Sequence, residues 1–245
     1  MGEKMIVIPA RLGSTRFNQK ILAKLGDKPL FIQSAINAKA AGRVLIAVDD
    51  ESVLKIAKSY GFEAVMTDSS HKSGSDRINE AIGKVELDDD EIVINVQADE
   101  PFFESSNLVL FKEFAKEAIL KKGAFMASCY KVVDEGLAKD PNLVKVVTDE
   151  FGNALYFSRS LIPYPRESVK SFKAHIGIYA YSKKTLMEFC HLKDSFLENS
   201  EKLEQLRALE SGKKIAMLAI KTSSFGIDTK EDYERAVEFY RQNYR

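Results

Sequence analysis

"MIVIPARLGSTRFNQK", Met5 to Lys20, sets an apolar run directly against a cationic one. Met5–Pro9 is uninterrupted and rich in aliphatic residues, the pattern of a short strand buried on both faces. Arg11, Arg16 and Lys20 follow without a carboxylate among them, around the small or hydroxyl residues Gly13, Ser14 and Thr15. Such cations face either water or an anion. Small residues let the backbone come close to a ligand, and the N–H groups of such loops form anion-binding nests. Forked guanidiniums and a lysine ammonium suit a polyphosphate. The stretch alone leaves solvent and phosphate both open. Neither G-x-x-x-x-G-K-[ST] nor G-x-G-x-x-G occurs in the chain, so this is no P-loop and no dinucleotide fingerprint.

Outward from this stretch, strands and helices alternate. The pattern predicts helices over Pro29–Ala41 and Glu51–Tyr60, the second with Val53, Leu54, Ala57 and Tyr60 on one face. Gly42 and Gly61 end them, and strands are expected at Val44–Val48 and Glu63–Thr67. A helix over Asp76–Val85, a strand at Glu91–Val96, a helix over Leu108–Lys122 and a strand at Phe125–Tyr130 continue the rhythm. Alternation of this kind means an α/β fold with a mostly parallel sheet covered on both faces. Then the rhythm changes. Val144–Thr148 and Ala154–Ser158 read as a hairpin about Asp149–Asn153, and Pro163 and Pro165 mark a loop. A strand at His175–Tyr181, helices over Lys183–His191 and Lys202–Ser211, a strand at Ile215–Ile220 and a last helix over Lys230–Tyr244 follow. The reading is a nucleotide-binding-like body, residues 1–132 and 201–245, carrying a smaller mixed subdomain over 133–200.

Composition bounds the partners. The 245 residues hold 36 Lys+Arg against 36 Asp+Glu, which argues against nucleic acid and anionic lipid as partners and makes any anion site local. Cys129 and Cys190 are the only cysteines, in no metal spacing, and suit a reducing cytoplasm. No run approaches the roughly 20 apolar residues of a membrane span. A cytoplasmic protein is expected.

In open α/β sheets, ligands bind beyond the carboxyl ends of the strands. The polar residues placed there are Arg11–Lys20, Asp49-Asp50, His71–Arg77 and Gln97–Glu100. In "INVQADEP", Asp99 follows a buried strand and suits Mg²⁺, which takes oxygen ligands; plain strand termination is the other reading. In "FGIDTKEDYERA", Asp228 either caps the helix that follows or binds metal, with Thr229 the alternative cap. In "HKSGSDRIN", Arg77 falls in the first turn of a helix, where a cation opposes the dipole, and this cost points to an external anion or a hydrogen-bonded base. His71 and His191 read as surface residues, and His175 as either a satisfied core histidine or a site residue. Of Tyr179 and Tyr181, one is expected to pack and the other to face substrate.

Together these segments resemble the 3-deoxy-manno-octulosonate (Kdo) cytidylyltransferases, the CMP-Kdo synthetase family. "IPARLGSTRFNQK", "HKSGSDR", "NVQADEP", "ALYFSRSLIPYPR", "HIGIYAY", "EKLEQLRALESG" and "GIDTKED" occur in the family's order. The resemblance implies a Rossmann-like nucleotidyltransferase, Mg²⁺, a homodimer formed through the smaller subdomain, and the reaction CTP + Kdo → CMP-Kdo + diphosphate, which feeds lipopolysaccharide. It places Pro9, Arg11, Ser14, Arg16, Lys20, Ser73, Gly74 and Arg77 on CTP, with Arg11, Arg16, Lys20 and Asp99 as the catalytic set. Asp99 and Asp228 would hold the metal. Gln97, Arg159, His175, Tyr181, Glu204 and Gln205 would line the sugar-acid site. Relatives sharing "EKLEQLRALE" leave the 8-amino analogue of Kdo open as substrate, and a CTP-binding sensor is the non-enzymatic alternative. Three departures stand out: Asn18-Gln19 where the family has Pro-Gly, Ala98 where it has Gly, and Asp76 where Glu is usual.

Overall fold

The computed structural model describes residues 5–13, 17–167 and 171–243. The chain enters through β1 (Met5–Ala10), then a single 3-10 turn, Lys20–Leu22, and the short strands β2 (Lys24–Leu25) and β3 (Lys28–Pro29). There follow α1 (Leu30–Lys39), β4 (Arg43–Val48), α2 (Glu51–Ser59), β5 (Glu63–Met66), α3 (Gly74–Ile82), β6 (Ile92–Asn95) and α4 (Ser105–Lys116), which runs on into a π turn at Glu117–Lys121. Next come β7 (Met126–Val133), α5 (Glu135–Ala138), β8 (Lys145–Thr148), β9 (Ala154–Ser158) and β10 (Phe172–Ser182). The chain continues with α6 (Lys183–His191), α7 (Phe196–Glu201), α8 (Leu206–Glu210), β11 (Ile215–Ala219) and α9 (Lys230–Asn243). These elements form two units, Met1–Val109 with Thr222–Arg245, and Leu110–Lys221.

In the first unit all six residues of β1 are buried, as its composition requires of a central strand. It pairs in parallel with β4 along its whole length, Met5 against Arg43 through Ala10 against Val48, and with β6 on the other side. β5 extends the sheet beyond β4, again parallel, so the order is β6-β1-β4-β5. Strand order therefore reverses at β1, and the crevice at a switch point of this kind is where such sheets bind ligands. α9 returns to this unit. Leu25, Leu30, Phe102, Ile227 and Ala236 form one buried cluster, with the Phe102 ring tilted against Phe225 at 5.3 Å and edge-on to Phe239 at 4.7 Å. That cluster fixes the segment leading into α9.

The second unit is mixed. β7 has β11 parallel on one side and β10 antiparallel on the other. β8 meets β10 at Lys145 opposite Ala174 and pairs with β9 as the expected hairpin. Because β7 is bonded to both β10 and β11, it belongs with them, and this unit is wider than the 133–200 span read from the sequence. The helix expected at Lys202–Ser211 is shorter: Lys202 is left-handed at φ 54°, which separates α7 from α8.

Gly26 turns β2 into β3 at φ +67°, and a Cβ there would lie 2.6 Å from Cε1 of Tyr240 on α9. Gly123 has nearly the same backbone, φ +71°, but a Cβ added there would meet nothing within 4 Å. Gly123→Ala is expected to cost about 1–2 kcal/mol, the left-handed penalty alone. Gly26→Ala should cost more, in urea unfolding, because the ring must move as well; equal losses would show that contact to be slack.

Candidate active site

The site starts where β1 and β6 end. Leu12 N–H donates to Asp49 Oδ1 at 2.9 Å, which ties the loop after β1 to the residue after β4. Asp50 spends its side chain capping α2, accepting from Ser52 N–H, so the two neighbouring carboxylates have separate tasks. The second oxygen of Asp49 accepts from Arg77 Nη2 at 3.1 Å, and Arg77 Nη1 donates to Thr67 Oγ1 at 2.6 Å. Both partners of this ion pair are buried. An internal carboxylate thus answers the cation in the first turn of α3, where the sequence suggested an external group. A buried pair of this kind is costly to break, because one unmatched charge is left behind.

Ser73 caps α3: its Oγ accepts from Asp76 N–H at 3.1 Å and donates to Asp76 Oδ2 at 2.9 Å. Asp76 in the place of Glu still reaches the cap. A Cβ on Gly74 would touch Pro9 Cγ at 3.6 Å, so the end of β1 and the start of α3 pack closely. The N-terminal N–H groups of α3 add a partial positive charge that suits an anion.

Opposite them, Lys20 Nζ donates to Asp99 Oδ2 at 2.5 Å and to Asp228 Oδ1 at 3.1 Å. Asp99 follows β6, and Asp228 arrives from the other end of the chain beside it, where Ile227 N–H bonds the carbonyl of Asp99 at 3.1 Å. Ser224 and Thr222 secure the same segment, donating to Glu100 at 3.0 Å and Glu104 at 2.6 Å. The helix cap falls to Thr229, whose Oγ1 accepts from Asp232 N–H at 3.1 Å while Asp232 accepts from Thr229 N–H. Thr229 takes the cap, and Oδ1 of Asp228 meets Lys20. Burial works to lower the Lys20 pKa, but Asp99 first and Asp228 second outweigh it and leave the pKa raised, so the ammonium is charged at neutral pH.

A cavity of about 270 Å³ gathers Pro9, Arg11, Lys20, Ser73, Gly74, Arg77, Gln97, Asp99 and Asp228. Every described residue expected on CTP or metal is on its wall. Ser14 and Arg16 lie outside the described residues. His71 and Lys72 line it too, and the sequence had placed His71 on the surface. Their position just before the Ser73 cap was the signal for them.

The remaining expected residues belong to the second unit. His175 Nε2 lies 2.9 Å from Ser128 Oγ, between the rings of Phe157 and Tyr179 at 4.9 and 5.4 Å. Burial holds its pKa well below the ordinary imidazole range, so the ring is neutral. Tyr181 is buried against Phe189 at 5.5 Å, whereas Tyr179 stands where burial, and then the charge of Glu204, raises its pKa. Arg159 donates from Nε to the carbonyl of Glu201 and from Nη1 to that of Pro141. Gln205 is 3% exposed, and its Nε2 has no hydrogen-bond partner among the described residues, an arrangement that calls for a ligand or a water. No group of three metal-ligating side chains occurs among the described residues.

The Cytidylyltransferase family model matches residues 5–215. The 3-deoxy-manno-octulosonate cytidylyltransferase of a Nitratiruptor species is 49% identical over 231 residues, 94% of this chain and 97% of that one. Its counterpart in Wolinella succinogenes is 46% identical over 241 residues, covering 96% and 99% of the two chains. A solved CMP:2-keto-3-deoxy-manno-octonic acid synthetase complexed with CTP superposes with a TM-score of 0.88 at 35% identity, over 98% of this chain and 99% of the other.

Neutral His175 has a consequence for acid stability. Unfolded, an imidazole binds its proton below about pH 6.5. The folded ring, with its lowered pKa, resists that proton, so stability is lost as pH falls below about 6.5. Between pH 7 and pH 5, urea unfolding should show the protein losing up to about 2 kcal/mol more than His175→Gln. Equal losses would overturn the buried, neutral assignment.

Proposed function

The chain belongs to the cytidylyltransferase family, and from that premise we propose that it activates Kdo: CTP + Kdo → CMP-Kdo + diphosphate, for lipopolysaccharide biosynthesis. It is a nucleotidyltransferase. The observation that carries the chemistry is the convergence of Asp99 and Asp228 on Lys20 in a cavity that the N-terminus of α3 also lines.

A hydroxyl of the sugar acid must attack the α-phosphorus while diphosphate leaves in line. Such transfers gain mainly from positioning and from neutralised charge. Arg11 and Lys20 supply cations for the triphosphate, and Ser73 with Gly74 opens the start of α3 to close approach. The Asp49–Arg77 pair holds the base of the loop after β1. Two carboxylate oxygens reaching one ammonium define a point fitted to a cation, and hard oxygen donors in this number fit Mg²⁺, which usually keeps waters and substrate phosphates as its other ligands. Asp99 and Asp228 would hold that ion, which supplies charge neutralisation on the phosphates. Arg159, His175, Glu204 and Gln205 are proposed to hold the sugar acid, with Arg159 meeting the sugar's carboxylate. A homodimer and a cytoplasmic location are proposed with the same family reading; no helix among the described residues is long and apolar enough to cross a membrane.

Diphosphate release with Mg²⁺, CTP and a panel of eight- and nine-carbon sugar acids tests the substrate. Release is expected with Kdo; release only with its 8-amino analogue or with a nine-carbon acid would move the assignment to that acid. Asp99→Asn is expected to lose turnover by roughly two orders of magnitude or more at saturating Mg²⁺. Near-normal turnover would overturn the metal role of Asp99.

A further inference from the structure

Glu201 joins two of the segments of the second unit that carry proposed sugar-acid residues, the end of β9 and the turn after α7. It ends α7, and both of its carboxylate oxygens are committed to the end of β9. Oε1 accepts from Ser158 Oγ at 2.5 Å, and Oε2 accepts from Arg159 N–H at 2.9 Å. Its own carbonyl accepts from Arg159 Nε at 2.8 Å. One residue therefore holds Arg159 by main chain and by guanidinium. Tyr156, two positions before Ser158 and so on the same face of β9, also feels the Glu201 charge, which adds to burial in raising its pKa.

The next residue, Lys202, adopts φ 54°, ψ 47°. A side chain enters that region only where its surroundings over-determine it. The turn buries Leu203 and delivers Glu204 and the buried Gln205, whose Nε2 lacks a partner among the described residues. Charge matters as well. The Arg159 guanidinium donates to two carbonyls, of Glu201 and Pro141, rather than to the Glu201 carboxylate. Its charge stays available to an incoming carboxylate.

We propose that Glu201 is a positioning residue for the sugar acid, fixing the Arg159 guanidinium and the turn that carries Glu204 and Gln205 as one piece. The proposal rests on the assignment of those three residues to the sugar acid. Glu201→Gln can still accept from Arg159 N–H through Oε1 and donate from Nε2 to Ser158 Oγ; Glu201→Ala can do neither.

Steady-state kinetics with Kdo and CTP, beside hydrogen exchange of the Arg159 amide, tests this in the full-length protein. Glu201→Ala should raise KM for Kdo at least tenfold, change KM for CTP less than twofold, and lose protection of the Arg159 amide. Glu201→Gln should keep KM for Kdo within about threefold and retain the protection. Equal rises in both KM values, or unchanged protection in Glu201→Ala, overturn the proposal. So does an unchanged KM for Kdo in Glu201→Ala when Arg159→Ala raises it. If Arg159→Ala also leaves that KM unchanged, the sugar-site assignment itself fails, and the positioning role fails with it.

Discussion

Lys20 between Asp99 and Asp228 is the contact on which the nucleotide half of this protein depends. Two carboxylates brought to one place repel; at about 4 Å, unit charges interact by about 4 kcal/mol at an effective dielectric of 20. A cation must stand between them, and the ammonium supplies it from a loop that is itself built to meet an anion. The same three residues join the exit of β1, the exit of β6 and the approach to α9. Packing serves this junction: the Phe17 ring packs at a tilt on Tyr233 at 5.5 Å, and the Tyr233 hydroxyl donates to the carbonyl of Lys24. The C-terminal helix is thereby held where it presents Asp228.

The placement follows from strand order. β1 is buried throughout and has parallel partners on both sides, so its polar continuation can only emerge at the sheet's carboxyl edge. Asp49 after β4 and Gln97–Asp99 after β6 emerge on either side of it. The Asp49 carboxylate then holds the loop through Leu12 and α3 through Arg77. One side chain thus fixes two of the elements that wall the cavity, which is why polar residues cluster there instead of being spread along the sheet edge.

Much of this was legible because it is local. The alternation of strands and helices, the Ser73 cap and the hairpin at β8–β9 are written in adjacent residues, and the family motifs pointed to residues that the structure brings onto one cavity. The pairing of Arg77 with Asp49 was not legible, since nothing near either residue announces the other. The choice between Asp228 and Thr229 turned on Asp232, in the first turn of α9, whose N–H donates to Thr229 Oγ1. The wider second unit rests on β7 having partners far along the chain, a fact that no window of sequence contains. Lys202 carries no glycine signal, so in sequence its left-handed turn looks like the start of a helix.

The departures at Gln19 and Ala98 show how backbone and site are linked. Gln19 sits at φ 52°, ψ 32°, in the region where glycine is the comfortable residue. A side chain there adds strain, and strain persists only where neighbours over-determine the conformation. Those neighbours are visible. Leu22 N–H bonds the Gln19 carbonyl, Ala23 N–H bonds that of Lys20, and the next side chain is fastened to two carboxylates. Ala98 is different, since it is not among the described residues with positive φ, and its carbonyl accepts from Ser34 Oγ at 2.9 Å. The glycine expected at that place is not required by this backbone. The strained position is therefore Gln19 alone of the two, and it immediately precedes the lysine whose placement the site cannot do without.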